Sequence, residues 1–216
     1  MRLHGYFRSS AAWRVRIALN LKGLAYMPIS HHLRHGEQRA AAYLRLNPQG
    51  LVPALELELE LDGEAGVLTQ SMAICEWLEE AHPAPALLPR EPLARARVRA
   101  FAMAIACDIH PVQNLKVLDR LRALGLDKDQ VTGWARGVIA EGLAACEALL
   151  PPAAPGPFLF GPGPTLAEIC LVPQLGNARR FGVDLAAMPR LLAAEAACAA
   201  LPAFAAAAPD RQPDAE

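Results

Sequence analysis

Leu55, Leu57, Leu59 and Leu61 alternate with Glu56, Glu58, Glu60 and Asp62. A period of two places every Leu on one face of an extended chain, so this stretch predicts a strand, and Asp62-Gly63 marks a hairpin turn after it. The return strand is expected to end near Leu68, where Ser71 opens a helix containing Met72, Ile74, Cys75 and Leu78. Upstream, residues 3–7 form a short apolar piece. After Ser9 and Ser10, the apolar Ala12, Val15, Ile17, Ala18, Leu19 and Leu21 fall at helical spacing, with Arg14, Arg16 and Lys22 mostly on the other side and Gly23 as a stop. Residues 25–30 read as a second strand and 37–46 as a second helix, ended before Asn47-Pro48. The pattern predicts a βαβ unit and its second helix, βαβα, followed by ββα over residues 1–82.

Pro83, Pro85, Pro89 and Pro92 then fall in a stretch that cannot continue a helix, and 83–92 is expected to link two domains. Beyond it the helical period dominates, over 93–124, 128–150, 165–180 and 188–207, so 93–216 is expected to be all helix. The Pro- and Gly-rich residues 151–164 read as a loop. Thr165 and Glu168 have the spacing of a capping box, in which hydroxyl and carboxylate satisfy amides at a helix start. The fold class expected is an α/β N-terminal domain followed by an all-α C-terminal domain.

Composition narrows what such a protein can do. Apolar residues make up 53% against 20% charged, which excludes a disordered chain, and aromatics are only 6%, so the apolar content rests on helix-favouring Ala and Leu. Lys and Arg total 21 and Asp and Glu 22, a net charge of -1, so bulk charge recruits neither nucleic acid nor an anionic membrane. No apolar run approaches the ~18 residues of a membrane span, and no basic segment leads into an apolar one at the start, so neither a span nor a secretory signal is expected. Cys75, Cys107, Cys146, Cys170 and Cys198 are widely spaced, which suits reduced thiols in the cytoplasm rather than disulfides or a thiolate metal site. Cys75 and Cys170 lie among apolar residues at core spacing. His31, His32 and His35 lie close together without a neighbouring Cys or carboxylate and read as solvated, not as metal ligands. Arg179 is expected to form a surface pair with Asp184, and the acidic positions from 56 to 62 to face solvent.

Three places could carry chemistry. Ser9 and Ser10 precede a helix, where free amides and the positive end of the helix dipole favour an anion such as a thiolate; the plain alternative is a helix cap. Val52-Pro53 stands before the Leu/Glu strand, and a cis peptide there would turn Val52 towards a ligand, whereas a trans Pro would merely start a strand. Gln70-Ser71 opens a helix and can present a hydroxyl and an amide to a carboxylate, or again serve only as a cap.

The string Ser9-Ser10-Ala-Ala-Trp13-Arg14-Val-Arg16-Ile-Ala-Leu19 resembles the signature Ser-Ser-Cys-x-Trp-Arg-Val-Arg-Ile-Ala-Leu of zeta-class glutathione transferases. Asn47-Pro48-Gln-Gly-Leu-Val52-Pro53-Ala-Leu, Gln70-Ser71 and Asp108-Ile-His110-Pro-Val-Gln-Asn114-Leu are similar to later blocks of that family. So are Leu171-Val-Pro-Gln174-Leu-Gly-Asn177-Ala-Arg-Arg180-Phe-Gly-Val-Asp184-Leu and the closing Gln212-Pro213-Asp214. The family includes maleylacetoacetate and maleylpyruvate isomerases. The resemblance implies a thioredoxin-like N-terminal domain, a helical C-terminal domain, a homodimer, glutathione as cofactor and a small dicarboxylate or diketo acid as substrate. It implies that Ser9, with Ser10 beside it, holds the glutathione sulfur, and that Arg8 and Arg180 grip substrate carboxylates. Gln38 and His110 would approach the glycine carboxylate, Val52 the cysteinyl backbone, and Gln70 and Ser71 the γ-glutamyl end, with Gln49 and Asn114 completing the binding set. The activity implied is glutathione-dependent cis-trans isomerisation. The alternatives are conjugation or processing of small α-halo acids in the same site, and a non-catalytic protein of this fold that binds ligands or partners. The signature's Cys is Ala11 here, so no protein thiol stands at that point.

Overall fold

The Leu/Glu alternation forms a strand, β3, over Ala54–Leu61. The computed structural model describes residues 1–61, 64–152 and 156–216; the Asp62-Gly63 turn expected after β3 lies outside the described residues. By contacts the chain divides into two units, Met1–Ala86 with Ala200–Glu216, and Leu87–Ala199.

In the first unit β1 (Arg2–Gly5) leads to α1 (Ser10–Leu21) and β2 (Met27–Ser30). Then come α2 (Ala41–Leu46), β3, β4 (Glu64–Thr69) and α3 (Ser71–Ala81). The sheet order is β2-β1-β3-β4, with β2 parallel to β1 and β3 antiparallel to both β1 and β4. α1 ends at Gly23, whose φ of 68° suits a residue without Cβ. The Gly23 and Leu24 amides donate to the carbonyls of Asn20 and Leu19 at 3.1 and 3.0 Å, which closes the helix end. The single helix expected over 37–46 is interrupted: a 3-10 turn at Glu37–Arg39 is followed by an extended Ala40, and only then by α2.

Arg14, Arg16 and Lys22 do not face solvent as the helical spacing predicts; all three are buried. The reason is that α1 is covered on two sides, by α3 and by α9 (Pro202–Ala207), the latter supplied by the end of the chain. Lys22 and Arg16 have acceptors that justify their burial, whereas Arg14 reaches only the Ser71 hydroxyl and leaves its Nε and Nη2 without a partner. Lys22 Nζ lies 2.7 Å from Glu79 Oε2 and 2.7 Å from the Pro85 carbonyl. Arg16 donates to the carbonyls of Ala207 and Phe7, both at 2.9 Å, and burial lowers its pKa to about 10, leaving it charged at neutral pH. The first unit therefore differs from the span expected from the prolines. The last residues pack with it because α9 lies on α1, where Asn20 Nδ2 also donates to the Ala203 carbonyl at 3.0 Å.

The second unit is helical, with α4 (Pro92–Met103), α5 (Leu115–Ala123), α6 (Lys128–Leu149), α7 (Leu166–Arg180) and α8 (Pro189–Ala199). The helix expected over 93–124 is broken. α4 runs into a π-helical turn at Ala104–Ile109, where the His110 amide reaches back to Ile105, and Pro111 follows before Asn114 caps α5. The expected helix over 188–207 is likewise divided, into α8 and α9 at Pro202. The Thr165–Glu168 capping box forms: Glu168 accepts from the Thr165 amide at 2.7 Å, and Thr165 Oγ1 from the Ala167 amide at 3.1 Å. Phe101, Ile105, Ile139, Leu143, Ile169 and Cys170 are buried in this unit. Gly142 of α6 meets the Ile109 side chain where a Cβ would have no room.

Candidate functional site

Strand register brings the three sequence candidates of the first unit together. His4 of β1 lies opposite Ala54 of β3, and Ala54 lies opposite Thr69 of β4. The segment leaving β1, the segment entering β3 and the segment leaving β4 therefore meet at one end of the sheet. They are residues 6–10, Val52-Pro53 and Gln70-Ser71. The helices α1 and α3 both start there, so the positive ends of two helix dipoles face the same region.

Ser9 is the N-cap of α1, its Oγ accepting the Ala12 amide at 3.2 Å. A hydroxyl has two acceptor lone pairs and one donor proton, so capping leaves the Ser9 O–H available to donate to an anion. The cap and the anion reading are compatible. Ser10 is buried behind it. Arg8 is half-buried, its guanidinium 5.9 Å from the centre of the Phe7 ring.

Val52-Pro53 is cis. The loop before it is braced from within. Tyr43 Oη and Asn47 Nδ2 donate to the Leu51 carbonyl at 2.6 and 2.7 Å, and the Gln49 amide donates to Asn47 Oδ1 at 3.1 Å. Burial pushes the Tyr43 phenol up to about 12, so it keeps the proton it donates. Gln70 has φ 67°, the one positive φ outside glycine among the described residues, a conformation of the kind that concentrates at ligand sites. Its Nε2 donates to Gln49 Oε1 at 2.8 Å, joining two of the predicted binding residues. Ser71 is buried, and Arg14 Nη1 donates to its Oγ at 3.3 Å. Gln38 is buried nearby in sequence to α2, with its Oε1 lacking a partner.

His110, Asn114 and Arg180 belong to the second unit. His110 closes the π-helical turn, Asn114 Oδ1 accepts the Leu115 amide at 2.8 Å as the cap of α5, and Arg180 ends α7 with its guanidinium 4.9 Å from the Phe181 ring centre. Arg179 does not pair with Asp184 as expected. It holds Glu195 through two bonds of 2.6 and 2.5 Å, because α8 brings that carboxylate alongside, while Asp184 Oδ1 accepts the Ala186 amide at 2.9 Å.

Of the histidines expected to be solvated, His35 is exposed, but His31 and His32 have partners from other elements. His4 Nδ1 and His31 Nε2 are 2.9 Å apart, and His4 Nε2 is 3.2 Å from Glu56 Oε2. Burial, then the neighbouring His4, pushes the His31 pKa below the ordinary value. His32 stacks on His35 and is hydrogen-bonded to Glu216. Sequence reasoning missed Arg14, Arg16 and Asp214 as parts of this region. Two arginines on an otherwise apolar helix face were the available signal for the first pair.

Comparison with known proteins places this geometry in context. A model of the glutathione S-transferase N-terminal domain matches residues 8–81, and one of the C-terminal domain matches 67–206. The chain is 48% identical to a maleylacetoacetate isomerase of Pseudomonas aeruginosa, over 99% of this chain and 98% of that protein. It is similar to the holo structure of a maleyl pyruvate isomerase described as a bacterial zeta-class glutathione-S-transferase, with a TM-score of 0.93, 46% identity and 100% of both chains covered. A maleylacetoacetate isomerase from Anaeromyxobacter dehalogenans, solved with glutathione in its active site, has a TM-score of 0.89 and 52% identity over 100% of this chain and 97% of that one.

Proposed function

The chain belongs to the glutathione S-transferase family, in its zeta class, and from that premise we propose that it is a glutathione-dependent cis-trans isomerase of maleyl-type diketo acids. The observation that carries the reading is the convergence of Ser9, Val52-Pro53 and Gln70-Ser71 at one end of the sheet, in a chain alike over its length with isomerases.

The residues present fit glutathione. Two helix starts suit its anionic groups, Ser9 keeps a free donor, and Gln38 can donate from Nε2 to the glycine carboxylate while its buried, partnerless Oε1 accepts the adjoining amide. Bound glutathione supplies a thiolate that adds reversibly to the conjugated double bond, lowering its order so that it can rotate before elimination. Ser9 donates its hydroxyl to the sulfur and, with the start of α1, lowers the thiol pKa towards neutrality. Ser10 supports it from behind. Gln70 and Ser71 take the γ-glutamyl end, Val52 pairs with the cysteinyl backbone, and Gln49 orients Gln70 through the bond they share. Gln38 and His110 serve the glycine carboxylate, with Asn114 in the same set. Arg8 and Arg180 hold the substrate's carboxylates and stabilise the negative charge that builds on its carbonyl oxygen, a task suited to a planar, permanently charged fork. With Ala11 in place of Cys, the reactive sulfur is the ligand's.

Among the described residues no helix is long and apolar enough to cross a membrane, and none of the five cysteines forms a disulfide. The reading includes a cytoplasmic location and a homodimer, both supported by the family resemblance. The test supplies maleylacetoacetate and maleylpyruvate, each generated in situ, with and without glutathione, to protein whose mass by light scattering is twice that of the chain. Ultraviolet absorbance is expected to change only with glutathione present. Full activity after its complete removal would sink the mechanism, and inactivity on both substrates would sink the isomerase reading.

A further inference from the structure

The segment between β1 and α1 carries Arg8 and Ser9, yet its hold on the fold comes largely from far along the chain. The Phe7 amide donates to Asp214 Oδ2 at 3.0 Å, across 207 positions of sequence. The same oxygen accepts the Ser30 hydroxyl at 2.7 Å, which ties it to the end of β2. On its other side, Phe7 gives its carbonyl to Arg16 Nη2 at 2.9 Å. The Tyr6 carbonyl accepts the Ser9 amide at 3.0 Å. Both peptide groups of Phe7 are thus fixed, one by α1 itself and one by the carboxylate of Asp214.

Asp214 is in turn held in place. Gln212 Nε2 donates to the carbonyls of Ala206 and Ala208 at 3.0 and 2.8 Å, folding the tail back against the end of α9. Arg16 Nε reaches the Ala207 carbonyl, so one buried guanidinium grips both the tail and the Tyr6–Phe7 segment. A half-open cavity of about 60 Å³ adjoins the segment, lined by Tyr6, Phe7, Arg16, Ser30, Pro213 and Asp214 among others. With that space beside it, the Phe7 amide has room to shift once its acceptor is gone, carrying Arg8 and Ser9 with it.

We propose that Asp214 is a positioning residue for the active-site segment, fixing Ser9 against the glutathione sulfur by holding the Phe7 amide. The proposal rests on the glutathione reading above and adds to it a residue that touches neither glutathione nor substrate. Its physical basis is geometric: displacement of a reacting group by about 1 Å can cost on the order of a hundredfold in rate.

Three variants test it. Asp214→Ala removes the acceptor. Asp214→Asn keeps an oxygen that can accept from both Phe7 and Ser30. Asp214→Glu keeps the charge but displaces the oxygen by a methylene and serves as the deciding variant if the alanine protein does not fold. The readouts are the thiol pKa of bound glutathione, from thiolate absorbance against pH, kcat and KM for the diketo acid, and hydrogen exchange at the Phe7 amide. Asp214→Ala is expected to raise the bound thiol pKa, speed Phe7 exchange about tenfold or more and lower kcat about ten- to a hundredfold, with KM changed less than about threefold. Asp214→Asn is expected to stay within about threefold of the natural protein, and Asp214→Glu to fall between the two. An unchanged thiol pKa and kcat in the alanine or glutamate variant overturns the proposal, as does an asparagine variant no better than alanine. Natural protein that binds no glutathione overturns the functional reading and this proposal together; natural protein that binds it, with variants that share its thiol pKa, overturns this proposal alone.

Discussion

Ser9 does two things with one oxygen. It accepts the Ala12 amide to start α1 and, in the proposed reaction, donates its proton to sulfur. The two roles separate on substitution. Ser9→Ala is expected to cost about 0.5–2 kcal/mol of stability through the lost cap, whereas Ser9→Gly costs only a few tenths of a kcal/mol. Both are expected to lower turnover more than glutathione affinity, measured as kcat beside a calorimetric Kd. Undiminished turnover in the glycine variant would remove Ser9 from the mechanism. Ser9, Val52, Gln70 and Ser71 were readable because each sits at a recognisable joint: a helix start, an x-Pro, a second helix start. The role of Asp214 was not, since nothing local distinguishes a surface Asp from one that accepts an amide 207 positions away. The histidines failed for the same reason: His31 takes its partner from β1, and His4 in turn takes Glu56 from β3.

Elements bounded by local chemistry matched their expected ends. The Leu/Glu alternation of β3, the Gly23 stop and the Thr165–Glu168 box are each specified within a few residues. The expected helix over 93–124 shows where that logic stops, because apolar spacing alone does not register the π-helical turn at Ala104–Ile109 or the break at Pro111. Packing supplies the missing constraint. The turn pushes Ile109 against α6 at a position where only glycine leaves space. Gly142→Ala gains about 1 kcal/mol of helix propensity, yet the overpacking cost of about 1–3 kcal/mol is expected to outweigh it, for a net loss of up to about 2 kcal/mol. Denaturant unfolding checks the sign. A more stable alanine variant would show that Ile109 repacks freely.

At the scale of the whole molecule, the family strings run the length of the sequence, so a thioredoxin-like sheet followed by helices could be read in advance. The division at the prolines placed all of 93–216 in one domain, but the closing residues pack with the first unit, through long-range bonds from Asn20, Arg16 and Phe7 that leave no mark in local pattern. A chain ending at Ala199 is expected to lose at least about 4 kcal/mol from the first unit, since it gives up the buried Phe204 and the acceptors at Ala203, Ala207 and Asp214. Hydrogen exchange should then rise across α1 while the amides of α6 keep their protection; α1 amides as slow as before would refute the estimate. The same feature sets a schedule during synthesis. Residues 87–199 are all made between the two segments of the first unit, which takes on the order of ten seconds at ribosomal speed. The helical unit, being contiguous, has every residue it needs before the older sheet unit does. Until α9 emerges, α1 presents a bare face and a buried-type arginine without its Ala207 acceptor, so the half proposed to hold glutathione is the half that matures last and most needs shielding as the nascent chain grows.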